Sequence, residues 1–300
     1  MPDPFKAGFV VLLGRPNAGK STLLNALLKR KLSAVSSKPQ TTRHKILGIL
    51  EGPGYQACLL DTPGVIPDPR DPLQGAILKT ARQSANDDPD VLVLLVEPQK
   101  PSEADLGELS GLARRCPHVI LALNKADLPA PAGKHDEILA AYAAAVKPAV
   151  SLKISALKGL GVDELKKEIV ARLPESPEPL YEPGQLSDRY ERFFAAEIIR
   201  EQVFNRYTDE IPHATAVVIE QFRETPGRPD TVNATLYVER DGQKGIIIGE
   251  KGRALHDLVA RSKTQLEEFL GREVELDVWI KVRKNWRKDP QALKEFGYIP

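Results

Sequence analysis

Gly14-Arg-Pro-Asn-Ala-Gly-Lys-Ser21 follows the apolar run Phe9–Leu13 and opens a helical stretch over Lys20–Leu28. A GxxxxGK[ST] segment between a strand and a helix is the pattern of a phosphate-binding loop. The chemistry explains its residue types. Glycines let the backbone fold tightly, so that its N–H groups point inward at a helix N-terminus, where anions are favoured. Gly14, Asn17, Ala18, Gly19, Lys20, Ser21 and Thr22 are the expected phosphate contacts. Lys20 would reach the β- and γ-phosphates, and the Ser21 hydroxyl would ligate Mg²⁺.

Beyond this loop, Ala57–Leu60, Val91–Val96, Val119–Leu123 and Val150–Ile154 are short apolar runs, as expected of parallel strands covered on both faces. Helical stretches such as Asp136–Ala145 and Val162–Leu173 lie between them. Residues 1–174 therefore read as an α/β P-loop domain, a mostly parallel sheet with helices on both faces.

Several strand ends carry a further motif. Asp61-Thr-Pro-Gly64 fits DxxG: Asp61 would hold Mg²⁺ through water, and the Gly64 amide would sense the γ-phosphate. Asn124-Lys-Ala-Asp127 turns a nucleotide site into a guanine site. The Asp127 carboxylate can accept from both guanine N1–H and the exocyclic amine, whereas adenine would leave it desolvated and unpaired, a discrimination of ~10⁴ or more. Asn124 would brace the loops and the Lys125 stem would cover the base. Ser155-Ala156-Leu157 would offer a backbone amide to guanine O6. In the loop Lys38-Pro-Gln-Thr-Thr-Arg-His44, a threonine hydroxyl would close onto Mg²⁺ in the triphosphate state. Thr42 is the expected ligand and Thr41 the alternative. Lys20, Thr42 and Gly64 are the catalytic candidates, and Ser21, Thr42 and Asp61 the metal candidates, with GTP or GDP and Mg²⁺ as cofactors.

The net charge of +1 requires any affinity for an anionic partner to come from local clustering. Cys58 and Cys116 have no metal-type spacing and read as reduced thiols. No basic, apolar leader opens the chain, and no apolar run approaches the ~18 residues of a membrane span. A cytoplasmic protein is expected.

Pro174-Glu-Ser-Pro-Glu-Pro-Leu-Tyr-Glu-Pro-Gly184 holds four prolines in eleven residues. It reads as a stiff linker over 175–187 and as the domain boundary. Residues 188–300 then follow an α-β-β-α-α-β order: a helix near Asp188–Arg206, strands Ala214–Phe222 and Val232–Val238, the Gly245–Gly249 run, a helix near Ala254–Leu270, and a strand near Glu273–Val282. This second, α+β domain places Gly249-Glu-Lys-Gly252 in a turn between helices, where a backbone can approach a sugar–phosphate chain. Ile246, Gly249, Glu250, Lys251, Gly252 and Arg253 are the candidate contacts, with Lys251 and Arg253 on phosphates, Glu250 opposing them, and Ile246–Ile248 as an apolar floor. Trp279–Lys288 holds five basic residues, no acid and both tryptophans, a composition suited to single-stranded RNA. Lys281, Arg283, Lys284, Arg287 and Lys288 are expected on phosphates. Trp286, beyond the strand, is the expected stacking residue, and Trp279 the more buried of the two.

With GRPNAGKST, PQTTRH, DTPG, NKAD and SALKG in this order, the chain resembles the translation-factor-class small GTPases. The GIIIGEKG run and the terminal VWIKVRKNW are similar to those of the Era family within that class, and the likeness spans nearly the whole chain. The resemblance implies a GTPase with a type II KH domain that binds the 3′ end of small-subunit (16S) ribosomal RNA, acting in 30S subunit maturation. It also implies peripheral membrane association at the inner face of the cell membrane; a weak contact of the Lys-rich C-terminus with anionic lipid fits that, and a monomer is expected. One departure from Ras-like chemistry is Val65, where a glutamine would orient water, so slow intrinsic hydrolysis is expected. By the same resemblance, Asn17 would hold K⁺ near the β,γ-bridge; bracing of the loop is the alternative. The competing functional reading is a constitutive RNA-binding protein whose first domain only senses guanine nucleotide. A single phosphate loop argues against Der, which has two.

Overall fold

In the computed structural model, which describes residues 4–64, 69 and 71–299, every apolar run expected as a strand forms one, with ends shifted by a few residues. The first six strands are β1 (Lys6–Gly14), β2 (Ile46–Gly52), β3 (Tyr55–Asp61), β4 (Val91–Val96), β5 (His118–Leu123) and β6 (Val150–Lys153). They form a sheet in the order β2-β3-β1-β4-β5-β6, parallel except for β2. Alternating with them are α1 (Lys20–Leu28), α2 (Pro72–Asn86), α3 (Glu103–Ala113), α4 (Lys134–Val146) and α5 (Val162–Ala171). β4 is buried along its whole length, and Leu92, Leu94 and Leu121 pack with Leu109 of α3 and Tyr142 of α4. β1 has β3 on one side and β4 on the other, so a crevice opens beyond its C-terminal end. The phosphate loop occupies that position.

β2 is the strand that the sequence reading lacks. It pairs antiparallel with β3 across Pro53-Gly54, where Gly54 takes φ +76°, as glycine after proline does in a tight turn. The second compact unit begins at Arg189, one residue after the expected start, but the proline-rich run belongs to the first unit and does not stand as a free linker. Extended backbone leaves its polar groups in need of partners, and here the sheet supplies them. Ser176 N–H donates to Phe5 O (2.8 Å), Tyr181 N–H to Gln56 Oε1 (2.9 Å) and Ser187 Oγ to Leu47 O (2.6 Å), while Ile49 N–H donates to Leu186 O (2.9 Å).

The second unit begins at Arg189 and also takes in Ala34–Thr41 and Pro69–Ala76. Its elements are α6 (Glu191–Arg206), β7 (Ala216–Arg223), β8 (Asp230–Val238), α7 (Asp241–Ile248), α8 (Arg253–Leu270) and β9 (Val274–Val282), the expected order. β7 runs antiparallel to β8, and β8 parallel to β9. The α7–α8 pair is the crossover that a parallel pair requires. Ile199, Val232, Ala234, Leu266 and Leu276 form its core. β9 alternates strictly at its start, with Val274 and Leu276 inward and Glu275, Asp277, Trp279 and Lys281 outward.

The basic tail is a packed structure. A further helix, α9 (Pro290–Glu295), is capped by the Asp289 side chain, which accepts from Gln291 N–H at 3.0 Å. Trp286 is fully buried: its indole N–H donates to Ala214 O (2.8 Å), and its ring packs on Phe296 and Tyr298. The expectation that Trp286 stacks bases is therefore corrected, and Trp279, 51% exposed, is the accessible aromatic of the pair. Trp286→Ala is expected to cost about 3–5 kcal/mol of stability in chemical denaturation. Trp279→Ala should stay within about 0.5 kcal/mol of wild type, as exposed substitutions do.

Candidate functional site

The phosphate loop is shaped by what it cannot accommodate. A Cβ on Gly14 would lie 2.3 Å from Leu95 O. Gly19 takes φ +96°, and a Cβ there would meet Asn124 Nδ2 at 2.2 Å. Asn17 is also left-handed, at φ +65°. Gly19 precedes α1 without a side chain to cap it, so the first-turn amides from Lys20 to Thr22 lie at an N-terminus open to an anion. Lys20 is buried, and its ammonium donates to Gly14 O (3.0 Å) and Arg15 O (2.9 Å). Burial pulls its pKa down to about 8, opposed by the charges of Asp61 and Glu97.

Three oxygen-bearing side chains converge beside it. Ser21 Oγ donates to Asp61 Oδ2 at 2.7 Å and lies 2.7 Å from Thr42 Oγ1. With the serine proton directed at the carboxylate, the threonine hydroxyl donates to serine. Hard oxygen donors of this kind suit Mg²⁺, which keeps an octahedral shell and takes the rest of it from water and phosphate. Among the described residues, no cluster of three or more His, Cys, Asp or Glu side chains offers an all-protein cage. Thr41 is directed elsewhere: its hydroxyl donates to Lys38 O (2.8 Å) and lies 2.5 Å from Ser36 Oγ. Gly64 packs directly on the phosphate loop, where a Cβ would lie 2.5 Å from Pro16 N. Val65 lies outside the described residues.

At the base end, buried Asn124 donates to Ala18 O (2.8 Å) and accepts from Ala156 N–H (2.9 Å). One side chain thus ties the phosphate loop to the Ser155–Leu157 loop. The Ser155 N–H donates to Leu160 O (2.9 Å), so it is not the amide expected to face guanine O6. That of Ala156 would have to be shared between the base and Asn124. Asp127 is exposed, and a hydrogen bond from Ser155 holds its carboxyl below the usual carboxylate range. Lys125, at φ +62°, pairs with Glu97 at the end of β4. Glu97 is absent from the sequence reading, although the carboxyl end of a parallel strand is where such groups gather. Arg15 is a second omission; it pairs with Asp105 of α3 at 3.0 Å.

In the second unit, Gly249 (φ +70°), Lys251 (φ +51°) and Gly252 (φ +78°) make the turn between α7 and α8 left-handed at three of four positions. Glu250, Lys251 and Arg253 are exposed. Ile246 is 55% exposed, whereas Ile247 is buried, so the two divide the groove and core roles. Lys281, Lys284 and Lys288 are exposed. Arg283 and Arg287 depart from the expectation of free phosphate contacts. Arg283 pairs with Glu295 and Asp289 and lies over Phe296; Arg287 pairs with Glu239 (2.7 Å) and Asp71 (3.3 Å).

Comparison with known proteins agrees with this geometry. Residues 9–125 match the family described as 50S ribosome-binding GTPase, and residues 210–287 match the KH domain. The GTPase Era of Geobacter metallireducens is 42% identical over 298 residues, covering 99% of each chain. The chain belongs to the Era family of GTPases. The Era of Lactobacillus helveticus is 41% identical over 98% of this chain and 96% of its own. The crystal structure of a point variant of Aquifex aeolicus Era bound to GDP·AlF₄⁻ matches with a TM-score of 0.92 at 34% identity, covering 99% of this chain and 100% of that one. A structure of Era with MgGDPNP and nucleotides 1506–1542 of 16S ribosomal RNA also matches at 0.92, with 35% identity and the same coverage. The chain is thus a P-loop GTPase with a mostly parallel sheet followed by a KH domain, and no described helix is long and apolar enough to cross a membrane.

Proposed function

We propose that this chain is a GTP-hydrolysing switch that binds single-stranded RNA at the 3′ end of small-subunit (16S) ribosomal RNA and acts in 30S subunit assembly and maturation. The observation that carries this reading is the meeting of Thr42, Ser21 and Asp61 in a chain that also presents the Gly249–Gly252 turn. The Era structure holding both MgGDPNP and 16S nucleotides supports it.

On this reading each site residue takes a role. Mg²⁺, held by Ser21 and Thr42 with Asp61 behind water, would neutralise charge on the β- and γ-phosphates. The loop amides and Lys20 hold the phosphates and stabilise charge on the transferring group. The Gly64 amide contacts the γ-phosphate. Asp127 reads the guanine edge, and Lys125 covers its plane. In the second unit the GEKG backbone admits the RNA chain, with Lys251, Arg253, Lys281, Lys284 and Lys288 on phosphates. A monomer that works in the cytoplasm, with weak contact of Lys284 and Lys288 to anionic lipid, completes the reading.

Without a glutamine after Gly64, intrinsic turnover should lie at or below about 10⁻³–10⁻² s⁻¹. Asn17 would hold K⁺, an added positive charge near the β,γ-bridge. GTP turnover in potassium and in sodium, with and without a short RNA copying the 16S 3′ end, tests both points. Turnover several-fold higher in potassium and higher again with RNA is expected. Equal rates in the two salts would remove the potassium role. RNA binding without any change in turnover would favour the constitutive RNA-binding protein that only senses nucleotide.

A further inference from the structure

We propose that Lys38 is a positioning residue for the GTP-bound site, acting through Thr42; the inference rests on the RNA-directed switch reading above. The segment Ala34–Thr41 belongs to the unit that carries the Gly249–Gly252 turn, and Thr42 is the next residue in the chain. Within that unit the Lys38 ammonium donates to the carbonyls of Phe204 and Tyr207, at the C-terminal end of α6. Phe204 lies in the last turn of α6 and Tyr207 is its C-cap, so the negative dipole end of the helix favours a cation there. Val35 N–H adds a bond to Glu201 Oε1, also on α6, at 2.9 Å, strengthened by the carboxylate charge.

Between these anchors and Thr42 the loop is closed on itself. Lys38 N–H donates to Ser36 Oγ (3.1 Å), and the Thr41 hydroxyl donates to Lys38 O (2.8 Å). That leaves the Ser36 hydroxyl to donate to Thr41 Oγ1 (2.5 Å). A loop so cross-braced has few torsions left with which to absorb a displacement of Lys38. From this braced loop the chain passes directly into Thr42, whose hydroxyl meets that of Ser21. α6 in turn packs along α8, the helix that leaves the Gly249–Gly252 turn. Asp71 is a comparable anchor. It caps α2 by accepting from Gln74 N–H (2.9 Å) and pairs with Arg287 (3.3 Å), both within the same unit.

The test compares Lys38→Met, which keeps the stem and removes the charge, with Lys38→Arg in the full chain. Affinities for GDP and for the magnesium complex of a non-hydrolysable GTP analogue are measured with and without the 16S 3′-end oligonucleotide. GDP affinity should be unchanged, which also reports that the site is folded, because Thr42 matters only to the triphosphate state. The analogue-to-GDP preference should fall about tenfold in Lys38→Met, within the usual range of couplings between sites, and be largely restored in Lys38→Arg. RNA should shift that preference in wild type and not in Lys38→Met. A Lys38→Met chain with the wild-type preference overturns the proposal. Should RNA leave the wild-type preference unmoved, the coupling to RNA falls, and the ratio in Lys38→Met alone then decides the role of Lys38.

Discussion

Asp127→Asn is expected to lower affinity for GTP by about 100- to 10,000-fold and to create a preference for XTP. The carboxylate accepts two charge-assisted hydrogen bonds from guanine, each contributing about 1.5–3 kcal/mol, and about 1.4 kcal/mol is a factor of ten. An amide keeps one acceptor, for N1–H, and turns a donor toward the exocyclic amine, which also donates. Xanthine carries a carbonyl at that position, so the mismatch becomes a match. Since the phosphate loop is untouched, XTP should bind the variant within about tenfold of GTP on wild type. Competition binding of the two nucleotides to both proteins measures this directly. A variant that still prefers GTP would mean that Asp127, exposed and held by Ser155, does not read the base edge.

Gly249→Asp should reduce RNA affinity by about 100-fold while leaving RNA-independent GTP turnover unchanged. The backbone there is left-handed, at φ +70°, and a Cβ would lie 2.5 Å from Ala254 Cβ. Forcing a side chain into such a position costs about 1–3 kcal/mol, and the added carboxylate faces the phosphates that Lys251 and Arg253 would contact. Gly252→Asp separates crowding from charge, because it shares the left-handed backbone, at φ +78°, but nothing lies within 4 Å of its added Cβ. If crowding dominates, the second variant should bind RNA appreciably better than the first; if charge dominates, the two should match and their deficit should shrink with salt. Filter binding across a salt series distinguishes these results. Wild-type affinity in both variants would remove the GEKG turn from the RNA site.

The nucleotide site is legible in the sequence because each motif sits where a strand ends, and the strand positions can be read independently from apolar runs. Gly14–Ser21, Asp61–Gly64 and Asn124–Asp127 flank one another in space for that reason. For the partner of Ser21, the sequence leaves two adjacent threonines. Only the fold separates them, since Thr41 is occupied by bonds to Ser36 and Lys38. Both tryptophans are expected the wrong way round, Trp279 against a pattern the sequence does contain and Trp286 for want of one. Trp279 lies in phase with Glu275, Asp277 and Lys281, so period-2 alternation alone assigns it to the outer face. Trp286 lies past the strand, and its burial depends on Ala214, Phe296 and Tyr298, partners that no local pattern announces. The ion pairs that occupy Arg283 and Arg287 are likewise tertiary. Composition counts those residues as free cations, whereas the fold sets acids beside them.

Among the described residues, a sheet that begins with β2 has one flank with no seventh strand to cover it, and an uncovered strand flank is a template for pairing with another chain. The residues that follow the proline-rich run lie along that flank, with Ile49 bonded to Leu186 and Leu47 to Ser187. Prolines are poor recruits for a growing ladder because they lack the N–H that a neighbouring strand needs. The segment that leads from one unit to the next therefore also occupies hydrogen-bonding groups on the outer flank of the sheet's edge strand.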